Sequence, residues 1–279
     1  MSNRIIGITG ASGFIGSNCK KKLSKNFEVI EINLRNFNSI DDLTEHINKN
    51  QITHFLNCIG GKSVGYSKLY PLEDFKSNVE CPLKILYALK RCKNKIHFTH
   101  ISSAGVYGEQ SINDQKNFIF SPYAIHKQAF DSLLQSTPLN NIEYLIVRPF
   151  SVYGPGLKKQ LLWDSYHKFK SNQTSVFFGS GKEVRSFVYI DDLSTIISDH
   201  IDQGIKGIID IGSKQIVNVG EVLNRFNKVL KLDASIKFNN LKDNGNPINL
   251  SKIQNEIKTE FNNYTSLEIG LKKYADWIG

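Results

Sequence analysis

The stretch Ile5 to Gly16, IIGITGASGFIG, restricts the fold of this chain more than any other. Ile5, Ile6 and Ile8 form a short apolar run that reads as a buried strand, and Phe14 to Leu23 reads as a helix. Between them Gly10, Gly13 and Gly16 are spaced G-x-x-G-x-x-G. A strand, a tight turn and a helix whose free N-terminal N–H groups face outward form a site for a phosphate. Gly10 suits the sharp turn, Gly13 lets a pyrophosphate approach the backbone, and Gly16 lets the helix pack close to the sheet. Three glycines alone would be ordinary turn punctuation; the flanking strand and helix make a dinucleotide loop the better reading.

At 279 residues the chain suffices for one large α/β unit or two linked lobes. Hydrophobic residues make up 40% and charged residues 22%, as in an ordinary globular protein. No signal-peptide pattern and no apolar run of membrane-spanning length is present, so the expected location is the cytoplasm. Cys19, Cys58, Cys81 and Cys92 form no C-x-x-C pair; they read as reduced thiols within helices or strands, and no metal site is expected. The formal charge of +9 comes from scattered lysines. Without a basic stripe interleaved with aromatics, it fits a solvated surface or an acidic small ligand better than nucleic acid.

Along the first half, strands alternate with helices. Phe27–Asn33, Thr53–Cys58, Lys95–Ile101 and Ile142–Val147 read as strands, and Ser39–Asn50, Pro71–Cys92 and Pro122–Gln135 as helices. That rhythm predicts a doubly wound parallel sheet covered on both faces, a Rossmann-like α/β fold. After Arg148 the rhythm changes. A loop at Val152–Gly156 precedes a helix near Lys158–Lys170, strands near Val176 and Phe187, a helix from Asp191, a sheet strand at Gly207–Ile211, a helix near Val219–Leu230, a strand at Ser235–Phe238 and two helices ending at Trp277. The expected organisation is a dinucleotide-binding domain over residues 1–150 with a returning strand near 206–212, and a smaller, interleaved substrate lobe over 151–279. A second ligand is expected in the cleft between them.

Three further stretches carry chemistry. Ser102–Gly108 (SSAGVYG) follows a strand, at the carboxyl end of the sheet where ligands bind in open α/β folds. Tyr123 and Lys127 are four apart on a helix and share a face. Val147–Gly154 ends another strand. Together they suit hydride transfer beside a proton donor: Tyr123 gives or takes the proton, Ser103 orients the substrate oxygen, and Lys127 holds the nicotinamide ribose and favours the Tyr123 phenolate. Singly, each has a plainer reading, a strand-end serine or a solvated helix face. His126 lies a different way round the helix and reads as a surface residue.

Taken in order, these segments resemble the extended short-chain dehydrogenase/reductases, the nucleotide-sugar epimerase, dehydratase and ketoreductase group. Thr9–Gly16 resembles the family's T-G-x-x-G-x-x-G loop, Ser102–Gly108 its serine segment and Ser121–Lys127 its Y-x-x-x-K pair. Arg148–Gly156 is similar to R-P-x-N-V-Y-G-P-G, and Gly179–Leu193 to G-x-G-x-x-x-R-D-F-V-Y-V-D-D-L. INLSKIQNEI and the ending SLEIGLKKYADWI also fit, so the resemblance spans nearly the whole chain. It implies Ser103, Tyr123 and Lys127 as the catalytic triad. It implies cofactor contacts from Gly10, Ser12, Gly13, Phe14, Ile15, Gly16, Asn33, Leu34, Arg35, Cys58, Ile59, Gly60, Tyr123, Lys127 and Pro149. It implies substrate contacts from Ser103, Ser151 and Arg185, with Arg185 on a nucleotide diphosphate, and a homodimer.

The departures sharpen the expectation. Ser151 and Ser186 stand where the family has Asn and Asp. The second strand ends Ile32-Asn33-Leu34-Arg35, without the carboxylate that accepts from a ribose 2′-OH. Arg35 would suit a 2′-phosphate, which favours NADP over NAD. Ser103-Ala104-Gly105 replaces the T-D-E of the family's dehydratases, which disfavours dehydration. The expected activity is therefore an NADP-dependent 4-ketoreductase acting on a nucleotide-activated 4-keto-6-deoxy sugar. The alternatives are an NAD-dependent nucleotide-sugar 4-epimerase and a non-catalytic NADP(H)-binding sensor.

Overall fold

The computed structural model describes residues 4–110, 117–118, 121–171, 174–213, 215–241 and 264–279. The chain divides into two compact units. The first runs to Pro149 and takes in Ser194–Asp210; the second takes in Phe150–Leu193 and most residues after Asp210.

The first unit is built on a six-stranded sheet. Its strands are β1 (Ile5–Thr9), β2 (Glu28–Ile32), β3 (His54–Asn57), β4 (Ile96–Ile101), β7 (Ile142–Pro149) and β11 (Gly207–Ile211), in the order β2-β1-β3-β4-β7-β11. A small hairpin, β5 (Glu109–Gln110) with β6 (Asn117–Phe118), stands apart from it. The pairs β1–β2, β1–β3, β3–β4 and β4–β7 are parallel, so the sheet is the expected Rossmann-like one. Every residue of β4 is buried, as in a strand covered on both faces, while edge strand β2 leaves Glu28 and Glu31 in solvent. The strand order reverses at β1, which pairs with β2 on one side and β3 on the other. The carboxyl ends of β1 and β3 therefore form the switch point where such sheets bind ligands.

Local sequence signals explain the helices. In α1 (Phe14–Leu23) Gly16, Cys19 and Leu23 face inward. α2 (Ile40–Lys49) begins with a capping box in which Ser39 and Asp42 bond each other's backbone N–H, and it buries Leu43 and Ile47. The expected Pro71–Cys92 helix is interrupted. Short α3 (Val64–Leu69) precedes α4 (Pro71–Phe75), a wide π turn spans Lys76–Glu80, and α5 (Cys81–Lys90) follows. α6 (Pro122–Ser136) starts with Ser121 capping Ala124 N–H and Pro122 in the first turn. One face of the sheet carries Phe55 and Phe98 into a core with Ile47, Ile85, Leu89 and Phe130.

In the second unit β8 (Ser151–Tyr153) runs parallel to β10 (Val184–Tyr189), which pairs antiparallel with β12 (Ile216–Asn218). β9 (Thr174–Phe177) pairs parallel with β13 (Ser235–Phe238). Its helices are α7 (Gln160–Ser171), α9 (Val219–Val229) and α10 (Leu267–Ile278), and α8 (Ile190–Gln203) leads back into the first unit. Rings of Phe226, Tyr274 and Trp277 stack in sequence. The earlier of the two expected C-terminal helices and the INLSKIQNEI segment lie outside the described residues. Of the cysteines, Cys58 falls just past β3 and Cys92 just past α5, and all four are free.

Candidate active site

The three glycines of the first loop do three different jobs. Gly10 has φ +68°, and a Cβ there would lie 2.7 Å from the Cys58 carbonyl carbon, so it serves both the turn and the contact between the β1 and β3 ends. At Gly16 a Cβ would collide with the Gly10 carbonyl oxygen. Gly13 is exposed, and its only close neighbour would be Gly10 O at 3.2 Å. Gly13 caps α1 without a side chain, and no acidic residue occupies the first turn. The open side of the loop is therefore a cradle of backbone at a ten-residue helix start, which fits the pyrophosphate of a dinucleotide. Ser12 is exposed on the loop, and Phe14 and Ile15 are half-buried where the helix starts.

Cys58, Ile59 and Gly60 follow β3 beside this loop. Asn57, fully buried, accepts from Thr9 Oγ1 at 2.7 Å and from Ile59 N–H at 3.1 Å, tying the ends of β1 and β3 to the turn. Its amide donates to His100 Nδ1 at 3.0 Å. Burial, and then the nearby Lys127 charge, hold His100 neutral, far below the usual imidazole range. At the end of β2, Asn33 accepts the Arg35 N–H at 3.1 Å and caps the turn Leu34–Asn36. Asn33 and Arg35 are exposed. Glu31, within β2, is ion-paired with Lys20 of α1.

Ser103, Tyr123 and Lys127 come together at the carboxyl end of β4. Ser103 Oγ accepts Gly105 N–H at 3.1 Å, and the Ser103 hydroxyl is hydrogen-bonded to Tyr123. The Tyr123 N–H donates to Ser67 Oγ of α3 at 3.1 Å, which pins the start of α6. Lys127 is 3% exposed and donates to the Ile101 carbonyl at 2.7 Å, with Gly60 alongside its Nζ. Burial lowers Lys127 to about 8, against the pull of Asp131, Asp74 and Cys58. Burial pushes Tyr123 up to about 12; Ser103 opposes the rise, while Asp74 and Asp131 add to it. Without a cofactor present, the Lys127 ammonium donates to a backbone carbonyl and burial holds the Tyr123 phenol above its ordinary range.

One correction concerns His126. It is not a surface residue: its Nδ1 bonds Asp74 Oδ2 at 2.7 Å, and the Asp74 side chain is fully buried. Behind the site, Asp131, one turn beyond Lys127, accepts from Ser102 Oγ and from Arg148 Nε, each at 2.9 Å. Arg148 also donates to the Tyr107 hydroxyl at 2.8 Å, which in turn donates to Asp210 at 2.9 Å. Pro149 is buried next to this arginine. Asn57, Asp74, Asn78 and Asp131 escaped the sequence reading. Asp131 alone had a signal there, the spacing Tyr123, Lys127, Asp131 along one helix face.

Ser151 and Arg185 belong to the second unit, on the adjacent strands β8 and β10. Ser151 pairs with Phe187, and Arg185 Nη1 donates to the Val184 carbonyl at 3.1 Å. Ser186, in place of the family's aspartate, is buried and donates to the Ser213 carbonyl at 2.9 Å.

Comparison with known proteins agrees with this geometry. The sequence pattern of the NAD dependent epimerase/dehydratase family matches residues 6–220. A putative UDP-glucose 4-epimerase of Methanocaldococcus jannaschii is 26% identical, with 97% of each chain covered. The fold matches the UDP-N-acetylglucosamine 4-epimerase of Methanobrevibacter ruminantium, solved with UDP-N-acetylmuramic acid, at a TM-score of 0.80 and 21% identity. That match covers 100% of this chain and 99% of the other. It also matches the Pseudomonas aeruginosa protein RMD, solved with NADPH, at a TM-score of 0.80 and 16% identity, covering 98% of each chain. With a glycine cradle at the switch point, a Ser103–Tyr123–Lys127 cluster beside it and the family pattern running through both, the chain belongs to the NAD-dependent epimerase/dehydratase family and is an enzyme of the extended short-chain dehydrogenase/reductase type.

Proposed function

We propose that the chain acts on a nucleotide-activated sugar as an NADP-dependent 4-ketoreductase. In this reading residues 1–150, with the strand near 206–212, hold the dinucleotide, and residues 151–279 supply most of the substrate lobe, with Ser151 and Arg185 among its contacts. A bound nicotinamide supplies hydride to the keto carbon. Tyr123 gives its phenolic proton to the sugar oxygen, Ser103 orients that oxygen, and Lys127 fixes the ribose. Positioned proton transfer of this kind is worth on the order of 10²- to 10⁴-fold.

The observation that carries the reading is geometric: the Ser103 hydroxyl is hydrogen-bonded to Tyr123 at the carboxyl end of β4, where Lys127 is anchored to the Ile101 carbonyl beside Gly60. The end of β2 supports the choice of NADP: exposed Asn33 and Arg35 present no carboxylate to repel a 2′-phosphate. Exposed Leu69, Leu72, Phe75, Tyr87 and Ile125 on α3 to α6 support self-association.

The epimerase-named relatives favour a second reading, an NAD-dependent 4-epimerase in which the oxidised cofactor stays bound. The test is a panel of UDP-, dTDP- and GDP-linked sugars and their 4-keto derivatives with each cofactor. Nicotinamide absorbance is followed together with product identity by NMR. Stoichiometric NADPH loss with a 4-keto sugar supports the reductase. Epimer formation without net cofactor change supports the epimerase. NADPH binding with no turnover on any substrate leaves the sensor.

A further inference from the structure

Asp74 is 1% exposed and sits at the end of α4, just before the π turn. A buried carboxylate is costly unless partnered, and only one of its oxygens is: Oδ2, which accepts from His126 Nδ1. Among the described residues Oδ1 has no hydrogen-bond partner, and it lies against Gly61, where any Cβ would collide with it. Asn78, one turn later within the π stretch, accepts the Gly61 N–H at 2.9 Å and leaves its own Nδ2 unpartnered against the same glycine. The Gly60–Gly61 turn is thus braced from α4, and Gly60 abuts Lys127 Nζ. π turns are frequent at functional sites, and this one sets Asp74 and Asn78 on one face toward the turn. Phe75 covers the other side, its ring edge-on to His126 at 5.5 Å.

We propose that the Asp74–His126 pair is a positioning pair of the redox site: together with Asn78 it braces the Gly60–Gly61 turn that abuts Lys127 Nζ, and so sets where Lys127, anchored to the Ile101 carbonyl, lies and what charge surrounds it. This rests on the Tyr123–Lys127 reading above and extends it to a carboxylate outside that cluster. His126 orients the carboxylate, and its place between Tyr123 and Lys127 on α6 sets the charge beside both.

Asp74 shares its electrostatic effect on Lys127 with Asp131, which contributes more there, whereas only Asp74 lies against the Gly60–Gly61 turn. From α6 itself, Tyr123, Lys127 and Asp131 face the site; from β4, neutral His100; from the turn after β3, Cys58. Glu73 and Lys76, flanking Asp74 on its own segment, are exposed, with Glu73 bonded to Tyr66. Lys62 is exposed, its ammonium over the Tyr66 ring. Asp74 acts on both Tyr123 and Lys127, favouring the protonated form of each.

The test is an NMR titration of the full-length protein carrying ¹³Cε-lysine, between pH 6 and 10, with the Lys127 signal identified by its loss in Lys127→Met. A unit charge one side chain away, at an effective dielectric of about 20, moves a neighbour by on the order of one pH unit. Asp74→Asn, equal in size, is expected to lower the Lys127 midpoint by that amount. His126→Leu removes the donor to Asp74 Oδ2, leaves a buried carboxylate that favours its neutral form, and is likewise expected to lower the Lys127 midpoint. It supplies an independent arm should Asp74→Asn fail to fold. A Lys127 midpoint unmoved in the folded variants, or moved in the opposite sense, overturns the proposal. Failure of the hydride-transfer reading shows elsewhere, as undiminished turnover by Tyr123→Phe, and leaves these titrations unaffected.

Discussion

Alanine at position 13 separates the binding role of the first loop from its structural one. Gly13 has φ −77° and ψ 169°, open to any residue, so the substitution adds no torsional strain. The new methyl would meet only Gly10 O, at 3.2 Å. Alanine is a poorer N-cap than glycine by up to ~1 kcal/mol, while the stiffer unfolded chain returns about 0.4–1 kcal/mol. The two offset, so stability should change by less than ~1 kcal/mol and Tm by less than about 4 °C. Cofactor binding should respond differently, because the methyl occupies the open side of the cradle. An overpacking cost of about 1–3 kcal/mol corresponds to roughly 5- to 150-fold weaker binding. In Gly16→Ala the same methyl meets the Gly10 carbonyl inside the loop, and the cost falls on the fold. The assay is fluorescence titration with NADPH and NADH, run beside thermal unfolding of the same samples. Parental affinity in Gly13→Ala, or equal destabilisation by the two variants, would refute the division of labour.

Three further outcomes are expected from the site and its surroundings. Asp131→Ala should destabilise the protein by about 3–5 kcal/mol in urea unfolding, because it strands the buried Arg148 guanidinium that Asp131 holds; Arg148→Met in the same background should recover part of that loss. Arg35→Ala should erase any preference for NADPH over NADH in paired binding titrations, since Arg35 is the cation at the end of β2; an unchanged ratio would remove its role. His54 is driven down to about 4, chiefly by burial and next by His97. The folded state thus holds it neutral while the unfolded chain protonates it near 6.5, and stability falls as pH drops from about 6.5 toward 4. The full shift would be about 3.4 kcal/mol, and partial exposure reduces it to roughly 1–2 kcal/mol; His54→Gln should flatten that part of the stability–pH curve.

The parallel sheet was legible because its signals are local. The apolar run Ile5–Ile8 with its glycines, the capping box at Ser39 and the Ser121-Pro122 start of α6 each name their element within a few residues. The π turn was not, because Pro71 to Cys92 reads as continuous helix, and the packing of Asn78 against Gly61 comes from another segment. Tyr123 and Lys127 were legible as a spaced pair, but their proton affinities were not. Those depend on burial and on Asp74, Asp131 and Ile101 O, which reach the site from other elements. His126 was misread for the same reason: position around α6 says which way it points, and only the fold places Asp74 there.

The most direct measurement of the account is turnover by Tyr123→Phe on the nucleotide sugar identified in the panel, with the cofactor dissociation constant taken on the same samples. The substitution deletes one oxygen, the proposed proton donor, and leaves the glycine cradle intact. Turnover is expected to fall by at least ~10²-fold, with cofactor affinity falling far less. Turnover equal to that of the parent protein would contradict the account.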